Sequence, residues 1–316
     1  HCPTFFVLIP LLLISASSIS HVNIMPSVVG GNEAQRHSAP YIVSIQTKNE
    51  ETGEDVHYCG GAILDENWII TAAHCVPNDE IVDQFTIYAG CHDVRGNERT
   101  VQKRRVDYYV KHDLYVGGVS PYDIALIYTE EPFKWTKAVR PISLPKAGST
   151  HAGKATLFGW GSTSTTLVPH FPHKLQTTEV PILDLALCQT ILGGPYRSPL
   201  HMTNICTGPL TGGVSVCTSD SGGPLVQRNS RNSVELIGVV SWGRIPCGQP
   251  NSPSVYSQVS LFVDWIKKQM TNGFFTLLSV LITCGNIFSR LHYRYVNRFT
   301  FKIEFRKCGQ FLRQVS

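Results

Sequence analysis

Between residues 28 and 270 the apolar positions come in short bursts rich in Val, Ile, Tyr and Thr, bounded by Gly, Pro, Asn or Ser. That pattern predicts strands over 41–46, 62–64, 68–71, 84–89, 101–110, 125–128, 154–159, 177–181, 224–227, 236–241 and 254–258. Helical spacing is confined to a short turn over 183–190 and to 261–270, where Leu261, Phe262, Trp265 and Ile266 form one apolar stripe. Many short strands at close intervals point to an all-β chain of closed barrels. About 240 residues of this kind fit two barrels packed together.

The ends read differently. Residues 5–14, FFVLIPLLLI, are followed by small residues. The run has the length of a signal-peptide core and is too short to span a bilayer. A signal peptide over 1–18, truncated because it lacks a basic n-region and an initiating Met, and a pro-segment over 19–27 are expected. Residues 274–288 are apolar but fall short of the roughly 20 residues a transmembrane helix needs. We therefore read 271–316 as an appendage to the main fold rather than a membrane anchor.

Charge removes one function class. Of 27 Lys and Arg and 23 Asp and Glu, seven basic residues and one Glu fall in 271–316, leaving 20 basic against 22 acidic in 28–270. That part carries no basic footprint for nucleic acid. It contains seven cysteines, Cys59, Cys75, Cys91, Cys188, Cys206, Cys217 and Cys247, without C-x-x-C or H-E-x-x-H spacing, so zinc is not indicated. In a secreted chain they read as disulfides with one left over.

Three short motifs carry candidate chemistry. Ser221 lies in Asp220-Ser221-Gly222-Gly223-Pro224, ahead of an apolar strand. A serine hydroxyl is a weak nucleophile until a neutral His takes its proton and a third group orients that His. His74 follows strand 68–71 in Thr71-Ala72-Ala73-His74-Cys75, and Asp123 precedes Ile124-Ala125-Leu126. A carboxylate entering an apolar strand is costly to bury unless paired, and His74 would satisfy it.

With Val28-Val29-Gly30-Gly31, Ser241-Trp242-Gly243 and Pro253-Ser254-Val255-Tyr256 in the same order, the chain over 28–270 resembles the chymotrypsin-like (trypsin-fold) serine proteases, the invertebrate chymotrypsin-like members in particular. The resemblance implies two packed six-stranded antiparallel β-barrels with a C-terminal helix. It implies a secreted endopeptidase, made as a zymogen, in which Ser221 attacks, His74 shuttles the proton and Asp123 orients His74. The backbone N–H groups of Ser219 and Ser221 would form the oxyanion hole, and Ser241, Trp242 and Gly243 a strand edge for substrate. Disulfides Cys59–Cys75, Cys188–Cys206 and Cys217–Cys247 are implied, with Cys91 unpaired. Cleavage before Val28 would free an α-amine to pair with Asp220, and His57 corresponds to a histidine that supports the inactive form.

Several positions depart from the family. Ser215, beside Val216, replaces the Asp that trypsins use against Arg or Lys, and Ser254 replaces a Gly; a hydrophobic residue before the scissile bond is expected. Ser219 replaces a Gly, Ser27 an Arg or Lys, and Cys91 a calcium-binding Glu. No metal and no cofactor are expected. The implied partners are protein or peptide substrates and protein protease inhibitors, with neither nucleic acid nor membrane, and the chain is expected to be a monomer. The alternative is a non-catalytic homologue acting as a binding or regulatory module.

Overall fold

The computed structural model describes residues 29–77, 84–95, 97–194 and 198–271. The expected signal peptide and pro-segment, Val28 and the appendage from 272 onward lie outside the described residues.

The first barrel is built from β2 (Ile42–Lys48), β3 (Asp55–Ile63), β4 (Trp68–Thr71), β5 (Phe85–Ala89), β6 (Gln102–Lys111) and β7 (Ala125–Thr129). It closes in the order β2-β3-β4-β7-β6-β5, all pairs antiparallel. The second uses β8 (Lys154–Gly159), β9 (Gln176–Leu183), β10 (Asn204–Thr207), β11 (Pro224–Arg228), β12 (Val234–Trp242) and β13 (Ser254–Gln258). Its order β9-β10-β13-β12-β11-β8 closes through the β8–β9 pair, and the two-residue β1 (Asn32–Glu33) adds to the outer edge of β9. Closure leaves no long exposed edge.

Each barrel is filled largely from its own strands, and the first core continues into Phe158, Leu236 and Val239 of the second. Ile45, Ile63, Ile70, Ile87 and Leu126 are shut away from solvent in the first; Leu157, Leu225, Ile237 and Tyr256 fill the second. Burying each aliphatic side chain contributes about 1.5–3 kcal/mol. Two α-helices among the described residues complete the fold. Helix α1 (Leu185–Ile191) is capped by Asp184, whose carboxylate accepts the N–H groups of Ala186 and Leu187. Helix α2 (263–271) turns Ile266 into the core of the first barrel, beside Phe262. No helix among the described residues is long and apolar enough to cross a membrane.

The barrels meet along β3 and the turn before β11. A Cβ on Gly60 would lie 2.8 Å from Gly223 Cα, so only glycine lets the backbones approach this closely. The gap is bridged by Gly60 N–H donating to Ser221 O at 2.7 Å.

Candidate active site

The register of the first barrel brings two of the motif residues together. Thr71 at the end of β4 faces Ala125 at the start of β7. The chain leaving β4 therefore runs beside the chain entering β7, and His74 and Asp123 emerge at the same end. The 3-10 turn Ala73–Cys75 holds His74, and a disulfide from Cys75 to Cys59 pins that turn to β3. The other two disulfides join Cys188 to Cys206 and Cys217 to Cys247.

Asp123 is 1% exposed, yet its carboxylate is fully engaged. Oδ1 accepts the His74 backbone N–H at 2.9 Å, and Oδ2 accepts the His74 Nδ1–H at 2.7 Å and the Ser241 hydroxyl at 2.6 Å. The Ser257 hydroxyl donates to the Asp123 carbonyl at 2.6 Å. With Nδ1 donating to a carboxylate, a neutral ring presents Nε2 as an acceptor. His74 keeps a face open to a cleft of about 500 Å³ that Ser221 also lines. Among the described residues Nε2 has the Cys75 sulfur at 3.9 Å and no hydrogen bond to Ser221. In unliganded sites such contacts are often long and tighten only around substrate.

Val216, Ser219, Trp242 and Gly243 line the cleft as well, and so do Tyr58, Thr218, Arg244 and Ile245, which the sequence reading did not single out. Their only sequence signal is adjacency, to Cys59, to Asp220-Ser221 or to Ser241-Trp242-Gly243. Ser215 and Ser254 lie behind this lining rather than in it: Ser254 Oγ accepts the Val216 N–H at 3.1 Å, and the Ser215 hydroxyl is buried without a partner among the described residues. Ser241 turns its hydroxyl to Asp123, a role that its reading as part of a strand edge did not anticipate.

Behind Ser221 lies a second buried carboxylate, Asp220. It accepts the N–H groups of Gly161 at 2.8 Å and Cys217 at 2.9 Å. Burial pushes its pKa up to about 7, against the pull of those two donors. Val29 is buried nearby, its carbonyl accepting the Ser215 N–H at 3.3 Å. Ser219, between Thr218 and Asp220, has φ +71, and its carbonyl accepts from His57 Nε2 at 2.9 Å.

Neither candidate cation site fits a metal. The cluster of Cys59, His74 and Cys75 contains a disulfide, so it offers no thiolate. At the position where the resemblance puts a calcium ligand, burial keeps the Cys91 thiol protonated, its pKa pushed up to about 12. Calcium takes oxygen ligands, and the nearby Glu98 already accepts the N–H groups of His92 and Asp93 and pairs with Arg36.

The comparisons with known proteins agree with this geometry. The trypsin family model matches residues 28–266. Lectizyme of Glossina austeni is 37% identical over 255 residues, covering 78% of this chain and 87% of its own. Trypsin-1 of Astacus astacus is 36% identical over 244 residues, 76% of this chain and 98% of its own. The venom peptide isomerase heavy chain of Agelenopsis aperta is 35% identical over 248 residues, 77% of this chain and its entire length. With two closed barrels, the motifs in order and a match that spans both barrels, the chain belongs to the trypsin family of serine proteases.

Proposed function

We propose that the protein is a secreted serine endopeptidase, activated by cleavage before Val28, that hydrolyses peptide bonds after hydrophobic residues. The observation that carries this reading is the saturated Asp123 carboxylate, which leaves His74 Nε2 facing the cleft that Ser221 lines. Ser221 Oγ attacks the peptide carbonyl while His74 Nε2 takes its proton. The oxyanion is stabilised by the N–H groups of Ser219 and Ser221. His74 then returns the proton to the leaving amine, and water, deprotonated in turn by His74, hydrolyses the acyl-enzyme.

The substrate preference rests on the lining. Val216, Val240 and the Cys217–Cys247 disulfide face the cleft, and no carboxylate among the described residues does. A buried Arg or Lys would go unpaired there. With Ser254 tied to the Val216 N–H behind the wall, the lining suits apolar side chains such as Phe, Tyr, Leu or Met, and smaller ones as well. Three disulfides support secretion. The buried Asp220, with only amide donors around it among the described residues, supports delivery of an α-amine by cleavage.

The test uses the full chain with residues 23–27 replaced by an enteropeptidase sequence, so that cutting frees Val28. Turnover of peptides ending in Phe, Leu or Ala but not Arg is expected, with a drop of roughly 10⁶ in Ser221→Ala. A folded, cut chain that neither turns over nor reacts with a fluorophosphonate would be a binding module instead. Ser219, with a side chain where the resemblance expects none, is the feature that favours that second reading.

A further inference from the structure

Ser219 is held in a conformation that L side chains rarely adopt, with φ +71. Among the described residues its N–H takes no partner, and the residue lines the cleft. Its carbonyl, in contrast, is gripped from the other barrel. On β3, His57 donates from Nε2 to Ser219 O at 2.9 Å and accepts at Nδ1 from the Ser44 hydroxyl at 2.7 Å. Ser44 Oγ in turn accepts from Gln46 Nε2 at 3.1 Å, which also donates to Val94 O at 2.7 Å. The ring lies edge-on to Trp160, with centroids 5.5 Å apart.

Every direction in this chain is fixed by chemistry. A carbonyl only accepts, so Nε2 must carry the proton. A neutral ring then leaves Nδ1 as an acceptor, which the Ser44 hydroxyl can satisfy. The ring is part-buried, and desolvation holds its pKa below the usual imidazole range, which keeps this tautomer in place near neutral pH. The β2–β3 register also slips here: Ile45 faces Cys59 while Gln46 faces His57, leaving Tyr58 as the extra residue of a bulge. Bulges re-aim side chains beside functional sites.

We infer that His57 is a positioning residue: by holding the Ser219 carbonyl it keeps this non-glycine residue in the left-handed conformation that presents its N–H to the cleft. Relaxing φ to the ordinary negative region rotates the preceding peptide by well over roughly 100°. The turn is anchored on both sides, by the Cys217 disulfide and by the Asp220 carboxylate. That rotation therefore has to swing the Ser219 carbonyl away from His57. The His57–Ser219 bond opposes the swing and offsets the strain of the Cβ. This differs from the support of an inactive form that the resemblance implied for His57, and it rests on the protease reading above.

The test is a double-mutant cycle in the cut full chain. His57→Phe keeps an aromatic ring but loses the donor; kcat is expected to fall roughly 30- to 100-fold with KM little changed, less than the roughly 10²- to 10³-fold of an oxyanion donor lost outright. His57→Gln, which retains an N–H, should recover part of it. In a Ser219→Gly background, where positive φ carries no strain, the same His57→Phe change should cost less than about fivefold. Equal losses in both backgrounds, tracking a fall in melting temperature, would make His57 a packing residue and overturn the inference. A readout independent of turnover is the ¹⁵N spectrum of the His57 ring. An Nε2–H tautomer with a slowly exchanging proton is expected, and an Nδ1–H tautomer overturns the inference. A chain inert on every substrate but with the Nε2–H tautomer counts against the protease reading alone.

Discussion

Two aspartates sit equally deep in this molecule, and they are treated in opposite ways. Asp123 and Asp220 are each 1% exposed. Asp123 is ringed by a histidine that can take a positive charge, a second N–H and a hydroxyl. Asp220 has two backbone N–H groups and no cation among the described residues, and its carboxyl is correspondingly hard to ionise. Burial sets the cost of a charge, and the partners decide whether it is met. The first site is complete as folded. The second is consistent with a site that is finished later, by a group arriving from elsewhere in the chain.

The largest way to break that comparison is at Asp123. Asp123→Asn keeps the shape but reverses which His74 tautomer is favoured, and kcat should fall by roughly 10⁴, the size this change has in trypsin itself. A loss under tenfold would mean that His74 is not held as described. The next is Asp220→Asn. On the activation proposed above, the change removes one partner of a buried pair in the cut chain, which costs about 3–5 kcal/mol, and activity should drop at least roughly 100-fold with the oxyanion turn. In the uncut chain the sign reverses. The folded carboxyl binds its proton more tightly than the unfolded one, so its contribution to stability is complete below about pH 4 and is lost as pH rises through about 7. The melting temperature of uncut Asp220→Asn should therefore gain on the parent across that interval. A difference independent of pH would show that Asp220 has a partner already. His57 is pulled the other way, its stability contribution falling as pH drops below about 6.5, so the comparison must be between variants and not against pH alone. The smallest effect is expected from Ser241→Ala, which removes one of three donors to the Asp123 carboxylate. A kcat loss of about tenfold, measured beside unchanged folding, fits one hydrogen bond to a charged group.

Much of this architecture could be read from the sequence. Strands β4, β8 and β13 end where the alternation of apolar residues says they should. β3 begins at Asp55, well before the predicted 62–64, because its first half reads as polar and its middle carries two glycines. Gly60 marks the approach to Gly223, and Gly61 makes room for Val43 and Ile69, so neither marks a break in the strand. β10, Asn204–Thr207, was missed altogether. Its polar residues are buried and satisfied on the neighbouring strand β13: Asn204 donates to Tyr256 O, and the Thr207 hydroxyl meets the Tyr256 hydroxyl. The candidate site was legible as three motifs in order. Contacts set by barrel docking were not. The Ser241 hydroxyl reaches an aspartate 118 positions away, and His57 reaches the Ser219 carbonyl 162 positions away.

The three disulfides have a distribution that bears on how the chain is made. One closes within the first barrel, at a separation of 16 residues, and two within the second, at 18 and 30. Among the described residues none ties one barrel to the other. Each barrel can therefore be oxidised from cysteines of its own, the first while the second is still being synthesised, as domains that emerge in sequence tend to fold. What remains after both are sealed is the docking of the second barrel, and of the C-terminal helix that carries Ile266 into the first core, through Gly60 against Ser221, His57 against Ser219 and Ser241 against Asp123. Those contacts assemble the candidate site, so on this order of events the site does not exist in a growing chain until its biogenesis is complete.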